Sequence, residues 1–343
     1  MHRRIGRALL VLSIVAALTV YQHFATESAQ RAIAAQTPAV APAAAVARHV
    51  DGAQLMRDVT TLSAQTFEGR RTGSPGGVRA RRWIVEQLTA VGVTAAGTAG
   101  YAQPFSFSHR SIRGLVMPGR PLETVYSNAA NLLARVEGTT PDARWIVLSA
   151  HYDHLGVREG QVHPGADDNA SGVAVLLAAA RHFSRQPLKH TLVLAAFDAE
   201  ELGLRGAEAF VASDPRIAER TALNVNLDMV SRSDRNEIFA AGTYQSPWAL
   251  PILQDVQRRA AVRILFGHDR PMHKAGSVDD WTTESDHGVF HEAGVPFIYF
   301  GVEDHADYHQ PTDTADKIDP RFFRDAADMI IEAVRTFDER IRK

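Results

Sequence analysis

The stretch WIVLSAHYDHLGVREGQVHPGADDNASG, from Trp145 to Gly172, decides the fold. Residues 146–150 form a short run of β-branched and aliphatic side chains, which is typical of a strand covered by helices on both faces. His151 follows at the point where this strand ends. Ligands of open α/β sheets bind at the carboxyl ends of the strands, so the position of His151 makes it a candidate functional residue.

Two adjacent aspartates, Asp167 and Asp168, precede an apolar run that is typical of a helix, from Gly172 to Phe183. Carboxylates at a helix start can simply cap the helix, because its dipole and free N–H groups favour negative charge. We expect this role for one of the two, and a ligand role for the other.

The same arrangement repeats along the chain. The apolar runs 191–197, 222–227 and 295–300 predict strands, and polar side chains follow each of them. Helical patterns alternate with these strands, as in the amphipathic segment 321–341. This alternation predicts an α/β fold with a doubly wound, mostly parallel central sheet, mixed at its edge, and helices on both faces. We also expect strands at 132–136 and 145–149 to be neighbours.

The composition excludes several classes of site. The formal net charge of -2 argues against a nucleic-acid surface, which needs clustered Lys and Arg. The chain has no cysteine, which excludes disulfides, thiolate metal sites and cysteine nucleophiles. Any metal site must therefore use His, Asp and Glu.

Residues 1–25 combine a basic start with an apolar run, which predicts a signal peptide or an N-terminal membrane anchor. Either one would place the rest of the chain across the membrane, so we expect a periplasmic or secreted protein, anchored only if the segment stays uncleaved. The Ala/Pro-rich segment 26–48 reads as a disordered linker. Residues 49–343 form the predicted catalytic domain, with 231–282 as an elaboration on the main sheet.

Five side chains are predicted at strand ends or in loops on one edge of the sheet: His151, Asp167, Glu201, Asp228 and His309. Imidazoles and carboxylates are ligands that zinc accepts, and cobalt or manganese can take such a site. If one carboxylate bridges, two ions receive three protein ligands each and keep an open position. A pair of ions about 3.5–4 Å apart activates water and polarises a carbonyl, which is hydrolase chemistry.

The motifs HYDHLG, GADDNASG, DAEELG, NLDMV and DYHQPTDT resemble, in this order, the zinc-dependent exopeptidase family of the bacterial leucyl aminopeptidase type. Relatives in that family include glutamate carboxypeptidase, glutaminyl cyclases and the transferrin receptor ectodomain. The resemblance extends from about residue 50 to the C-terminus.

The resemblance implies a di-zinc site. It implies that His151 and Asp228 bind one Zn²⁺, that Glu201 and His309 bind the other, and that Asp167 bridges them. Asp168 is then left as a capping group or as a group that supports the metal ligands.

The resemblance also implies the catalytic groups. Glu200 is implied as the general base, and Asp153 as the group that orients the His151 ring. Tyr308 is a candidate for stabilising an oxyanion, and Asp286 matches an acidic position near the base. The remaining histidines near the motifs, His154, His163, His287, His291 and His305, are expected to be supporting or solvated, with His305 the main rival of His309.

The expected function is therefore a di-zinc aminopeptidase that acts on peptides with a free N-terminus. A glutaminyl cyclase-like acyltransferase with one zinc and a carboxypeptidase are the enzyme alternatives. A binding ectodomain on the same fold is the non-enzyme alternative, although its relatives lack ligands that this sequence retains.

Overall fold

The structure is a computed structural model, and its description covers residues 48–110, 123–271 and 279–341. The predicted signal or anchor at 1–25 and nearly all of the predicted linker at 26–48 lie outside the described residues. None of the helices in the described part combines the length and the apolar composition that crossing a membrane requires.

The described chain contains a large mixed sheet, a small hairpin and helices on both sides. The strands are β1 Thr94–Ala95, β2 Ala102–Arg110, β3 Glu123–Val136, β4 Trp145–His151, β5 Gly156–Arg158, β6 Gln161–His163, β7 Thr191–Phe197, β8 Thr221–Leu227, β9 Glu237–Ala241, β10 Arg263–Leu265 and β11 Phe297–Gly301. The helices are α1 Gly52–Leu62, α2 Pro75–Val91, α3 Gly172–Phe183, α4 Arg205–Ala212, α5 Ile217–Arg220, α6 Leu250–Gln257, α7 His287–Glu292 and α8 Pro320–Arg340.

The centre of the sheet is parallel. Strand β4 pairs in parallel with β7 on one side and β8 on the other, and β8 pairs in parallel with β11. Antiparallel pairs lie outside this core, where β3 pairs with β7 and β9 pairs with β11. The predicted fold class is confirmed, including the mixed edge. The segment 231–282 contributes β9, α6 and β10, and so extends the sheet beyond β11.

One expected strand neighbour is wrong. Strand β3 does not pair with β4 but lies antiparallel to β7, with Leu132 opposite Ala196. Both edges of β4 are occupied by the parallel strands β7 and β8, which leaves no free edge for β3. The short connection between β3 and β4 suggested a hairpin, but the crossover through α3 inserts β7 between them.

Both faces of the sheet are covered, as the apolar run of β4 predicts. Ile146 and Leu148 point into the larger core with α1, α2, α3 and α8, whereas Val147 points into a second core. That second core contains Phe210 of α4 and Phe290 of α7. Since successive strand residues face opposite sides, this alternation shows a helix layer on each side.

The boundaries of α2 follow from its end residues. The Ser74 hydroxyl accepts a hydrogen bond of 3.1 Å from the Gly77 N–H, and Pro75 begins the helix. Gly92 ends it in the left-handed conformation at φ 81°, which glycine adopts without strain. Helix α2 thereby anchors the loop that precedes it, which carries Arg70 beneath the candidate site.

Candidate metal centre

The candidate site lies at the carboxyl edge of the parallel strands. His151 is the last residue of β4, Asp228 follows β8, and Glu201 lies in a short turn after β7. Asp168 belongs to the turn at Ala166–Ser171 that precedes α3, and His309 lies in the loop after β11. The sheet topology thus brings together side chains that are up to 158 positions apart in the chain, from 151 to 309.

One group of donors consists of His151, Asp168 and Asp228. The Nε2 atom of His151 lies 3.4 Å from Oδ1 of Asp168 and 3.3 Å from Oδ1 of Asp228. All three side chains are buried, and one donor atom from each lies within 4.8 Å of the others. Three converging donors are the number that a catalytic zinc takes from the protein.

A second group consists of His154, Asp168 and Glu201, with His309 beside it. The Nδ1 atom of His154 lies 2.7 Å from Oε1 of Glu201 and 3.6 Å from Oδ2 of Asp168. The Nε2 atom of His309 lies 3.1 Å from Oδ2 of Asp168 and 3.5 Å from Oε2 of Glu201. Asp168 is therefore shared by both groups, with one oxygen toward each.

The structure corrects the prediction for Asp167. Its carboxylate points away from both groups, where Oδ1 accepts hydrogen bonds from the Ser231 N–H at 2.8 Å and hydroxyl at 2.6 Å. Its Oδ2 lies 3.2 Å from Nε2 of His305. The tight turn directs two consecutive side chains to different sides, so Asp168 takes the central position that the sequence assigned to Asp167.

Asp313 holds this turn in place, a role that the sequence pattern does not predict. Its carboxylate accepts hydrogen bonds from the N–H of Asp167 at 3.0 Å and of Asp168 at 3.1 Å. Asp313 is fully buried. Its place in the motif DYHQPTDT, four residues after His309, is the only signal for it in the sequence.

His154, which the sequence predicts to be a supporting or solvated residue, belongs to the second group of donors. Its side chain is fully buried, and its ring faces Glu201 and Asp168 instead of solvent. The available signal was its place in HYDHLG, three residues after His151, but spacing within a loop does not determine where a ring points.

The donor atoms fit a cation. Nδ1 and Nε2 of His154 and Oε1 of Glu201 are buried and have no hydrogen-bond partner within the described residues. Buried polar atoms are normally hydrogen-bonded, and those without partners call for an ion or another ligand. Nδ1 of His154 and Oε1 of Glu201 lie 2.7 Å apart, within the range of an ion pair, and a cation bound by both atoms would take the place of the proton that they otherwise share.

Electrostatics around the site also favour cations. Burial alone lowers the pKa of His151, yet the carboxylates of Asp228 and Glu200 raise it well above its usual value. Burial raises the pKa of Glu200 well above its usual range, with a further increase from the nearby carboxylates of Asp228 and Asp286. The cluster therefore has a strongly negative potential.

Asp153 connects the candidate base to a candidate ligand. Its Oδ1 accepts a hydrogen bond of 3.0 Å from the Glu200 N–H and lies 3.8 Å from Nδ1 of His151. The closer contact of that Nδ1 is the main-chain carbonyl of Asp153, at 3.1 Å. Asp153 thus sits where it can orient the His151 ring, but through its carbonyl oxygen instead of the expected carboxylate.

Of the two remaining candidates, Tyr308 lines the cavity and Asp286 does not. Asp286 is fully buried, neither of its oxygens has a hydrogen-bond partner within the described residues, and burial raises its pKa to about 7. Tyr308 lines the cavity and stacks on His309 with ring centroids 3.9 Å apart.

A cavity of about 600 Å³ opens onto the donors. It is lined by the following residues: His151, Asp168, Glu200, Glu201, Asp228, Met229, Asp279, Asp280, Trp281, Glu284, Tyr299, Val302, Asp304, Tyr308 and His309. No lysine or arginine occurs among these described lining residues. The volume is that of a site for a small molecule or for the end of a peptide.

The chain is similar in sequence to a family of peptidases and to individual members of it. Residues 131–334 match the model of peptidase family M28. Aminopeptidase YwaD of Bacillus subtilis is 32% identical over 201 residues, which cover 55% of this chain and 40% of that protein. A probable zinc metalloprotease of Pyrenophora tritici-repentis is 28% identical over 285 residues, covering 73% of this chain and 61% of that protein. The chain therefore spans about half the length of these relatives.

Solved structures show the same fold. The aminopeptidase from Aneurinibacillus sp. strain AM-1 superposes with a TM-score of 0.62 at 18% identity, covering 83% of this chain and 93% of that one. A glutaminyl cyclase of Bacteroides thetaiotaomicron superposes with a TM-score of 0.60 at 17% identity, covering 84% of this chain and 99% of that one.

Proposed function

Because the chain belongs to peptidase family M28 and is a zinc metallopeptidase, we propose that it is a di-zinc aminopeptidase, which removes residues from the free N-terminus of peptides. The observation that carries this proposal is the position of Asp168 between two groups of donors. Two neighbouring ions require a carboxylate that both of them share.

The donors divide between the two ions as follows. His151, Asp228 and Asp168 would hold one zinc, while Glu201, His309 and the shared Asp168 would hold the other. His154 offers an additional nitrogen to the second ion. Bound zinc supplies a Lewis acid that lowers the pKa of water and polarises the scissile carbonyl.

Glu200 is the proposed general base, which carries a proton from water to the leaving amine. Its carboxylate lines the cavity next to both groups, and its raised pKa suits a base that takes a proton from water and later returns it to the leaving amine. Asp153 fixes the Glu200 main chain through the 3.0 Å hydrogen bond to its N–H. Tyr308, which also lines the cavity, would donate a hydrogen bond to the developing oxyanion.

The charge of the cavity supports an aminopeptidase over a carboxypeptidase. A carboxypeptidase needs a cation for the terminal carboxylate of its substrate, and the described lining contains neither lysine nor arginine. The nearby Arg232 does not supply one, because it bonds to Asp307 at 2.9 Å and lies outside this cavity. An ammonium group at the N-terminus of a peptide suits the acidic wall.

Counting the bound metal distinguishes the glutaminyl cyclase-like alternative. A cyclase of this kind is expected to hold one zinc, whereas two groups of donors converge here. Purified protein, loaded with zinc and then dialysed, should contain about two zinc ions per chain if Asp168 bridges. A content of one zinc per chain, together with cyclisation of N-terminal glutamine, would support the cyclase instead.

The Glu200→Gln variant tests the mechanism. Zinc-loaded wild type should release the chromophore from aminoacyl anilides, and Glu200→Gln should lose about 10²–10⁴-fold in kcat while it retains its zinc. Glu86→Gln, an exposed change on α2, is the matched control and should keep full activity. If Glu200→Gln cleaves as fast as wild type, Glu200 is not the base.

We also propose that residues 1–25 direct export, so that the enzyme meets its peptides outside the cytoplasm. Cell fractionation tests this directly. The full chain should be found in the periplasm, the medium or the membrane fraction, and deletion of residues 1–25 should leave it in the cytoplasm.

A further inference from the structure

The loop before helix α2 carries a buried hydroxyl close to the candidate site, that of Thr72. Its Oγ1 lies 3.2 Å from Oδ2 of Asp153 and 2.9 Å from Oδ1 of Asp198, and the whole side chain is buried. Thr72 belongs to neither group of metal donors and does not line the cavity. Any effect of this hydroxyl on catalysis must therefore pass through another side chain.

Two buried carboxylates face the single proton of this hydroxyl. Asp198 has three other donors, namely the N–H groups of Ala130 at 3.0 Å and Ala199 at 2.9 Å and the hydroxyl of Tyr152 at 2.8 Å. Oδ2 of Asp153 has no other donor in the part of the chain that the structure describes. A buried carboxylate oxygen without a donor is costly, so the proton of Thr72 is needed most at Asp153.

Asp153 in turn contacts two groups whose geometry matters for the proposed reaction. Its other oxygen, Oδ1, accepts the 3.0 Å hydrogen bond from the Glu200 N–H, and its main-chain carbonyl lies 3.1 Å from Nδ1 of His151. A carboxylate held at both oxygens has little freedom to rotate, so a donor at Oδ2 fixes the direction in which Oδ1 meets Glu200. Thr72 thus acts on the base without touching it.

The backbone that carries Thr72 is held on both sides. Arg70, two residues earlier, is buried and donates to the main-chain carbonyls of Tyr152 and Gly165. Ser74, two residues later, caps helix α2 with its side chain. The Thr72 hydroxyl is therefore fixed in space, as a group that orients another side chain must be.

We infer that Thr72 is a positioning residue for Glu200, which it orients through a hydrogen bond from its hydroxyl to Oδ2 of Asp153. The inference rests on the proposed aminopeptidase function for its effect on rate, but not for the hydrogen bond itself. Loss of the outer partners of a metal centre costs about 10–100-fold in activity, and we expect an effect of that size.

Thr72→Val removes the hydroxyl and keeps the branched shape of the side chain. With excess zinc, its kcat for an aminoacyl anilide, per folded and zinc-loaded molecule, should fall about 10–100-fold while KM changes by less than about threefold. Thr72→Ser restores the hydroxyl and should recover most of kcat. The control is Thr221→Val at the opposite end of β8 from Asp228, which loses a buried hydrogen bond of 2.7 Å to the Ile217 carbonyl and should keep the wild-type kcat.

Two results of these assays overturn the inference. One is a wild-type kcat in Thr72→Val, and the other is a kcat in Thr72→Ser that is as low as in Thr72→Val. If Thr72→Val does not fold, Thr72→Ser and Thr72→Ala give the same comparison, because both lack the methyl group and only serine keeps the hydroxyl. Equal kcat values in that pair also overturn the inference.

Hydrogen exchange tests the hydrogen bond without substrate or metal. In the metal-free protein, the Glu200 N–H should exchange about tenfold faster in Thr72→Val than in wild type, because its acceptor is no longer fixed, and no faster in Thr221→Val. An unchanged exchange rate in Thr72→Val overturns the inference. Absence of anilide hydrolysis in every protein, including wild type, would contradict only the proposed function, because the exchange rate still decides whether Thr72 fixes Asp153.

Discussion

The Nε2 atom of His309 lies 3.1 Å from Oδ2 of Asp168. His305, four residues earlier, lies instead 3.2 Å from Oδ2 of the adjacent Asp167. Two neighbouring aspartates thus have two different histidine partners from the same loop. One pair belongs to the proposed metal centre, and the other lies behind it with Ser231.

We therefore expect conservative replacement of the two aspartates to have different effects on zinc binding. Asp168→Asn removes the carboxylate that both donor groups share, so we expect zinc affinity to fall by at least about 100-fold and activity to fall with it. Asp167→Asn is the matched control. It should retain zinc but lose about 1–3 kcal/mol of stability, because only one of the two buried acceptor oxygens that face Ser231 and His305 remains.

Metal analysis after dialysis, competition with a chelator and thermal unfolding measure these effects. If Asp167→Asn loses zinc and Asp168→Asn keeps it, Asp167 is the shared ligand and Asp168 is not.

The positions of the strand ends could be predicted from the sequence where the signal was local. An apolar run followed by a polar residue identifies the ends of β4 and β8, so His151 and Asp228 could be placed at one edge from the sequence alone. The choice between Asp167 and Asp168 could not be made in this way. It depends on Ser231 and Asp313, which lie 64 and 146 positions away in the chain.

The order of the strands in the sheet could not be predicted from the sequence for the same reason. The apolar runs located β3, β4 and β7, but which strand lies beside β4 depends on how α3 crosses the sheet. A short loop between β3 and β4 is compatible with either order. His154 was set aside for a related reason, because the path of a loop that is neither helix nor strand determines the direction of its ring.

His154 is expected to strengthen binding of the second zinc. Replacing it by Phe removes a buried nitrogen 2.7 Å from Glu201 while filling similar space, so we expect a loss of about 10–100-fold in affinity for one of two ions. His291→Phe, a partly exposed change on α7, is the control. Zinc titration of the stripped protein should show one weakened step in His154→Phe only, and two unaltered steps would show that His154 is no ligand.

Arg70 is a buried cation beneath the site, and its loss should be costly. It is fully buried, and its guanidinium donates to the carbonyls of Tyr152 at 2.9 Å and Gly165 at 2.8 Å. It donates further to the carbonyls of Leu62 and Pro164. Burial lowers its pKa to about 10, which leaves it charged at neutral pH. It therefore ties together the loops that carry His151 and Asp168.

We expect Arg70→Met to lose about 3–5 kcal/mol of unfolding free energy, since several buried carbonyls lose their donor. Arg71→Met, whose guanidinium donates to the hydroxyl of Tyr126 at 3.0 Å, is the neighbouring control and should lose much less. Denaturant unfolding of both variants without metal measures the difference. Equal losses would show that Arg70 has no special structural role.

His287 should make the protein less stable in mild acid. It is fully buried, its Nε2 donates to the Trp281 carbonyl at 2.7 Å, and its Nδ1 has no hydrogen-bond partner within the described residues. The folded protein therefore holds the ring neutral, and burial lowers its pKa to about 4. An unfolded histidine titrates near a pKa of about 6.5. Between these values the unfolded chain binds more protons, so stability falls as the pH decreases from about 6.5 to 4.

The difference between these two pKa values corresponds to about 3 kcal/mol of unfolding free energy for this one group. His287→Gln keeps a donor for the Trp281 carbonyl but cannot take up a proton, so its unfolding free energy should depend on pH less steeply, by about one proton, across this range. Denaturant unfolding at a series of pH values between 7 and 4 measures the slope. Because the change leaves the cavity lining intact, aminoacyl anilide hydrolysis at pH 7 serves as the check on folding. If wild type and His287→Gln show the same slope, the imidazole is already protonated in the folded protein, and the neutral ring inferred from its one hydrogen bond is wrong.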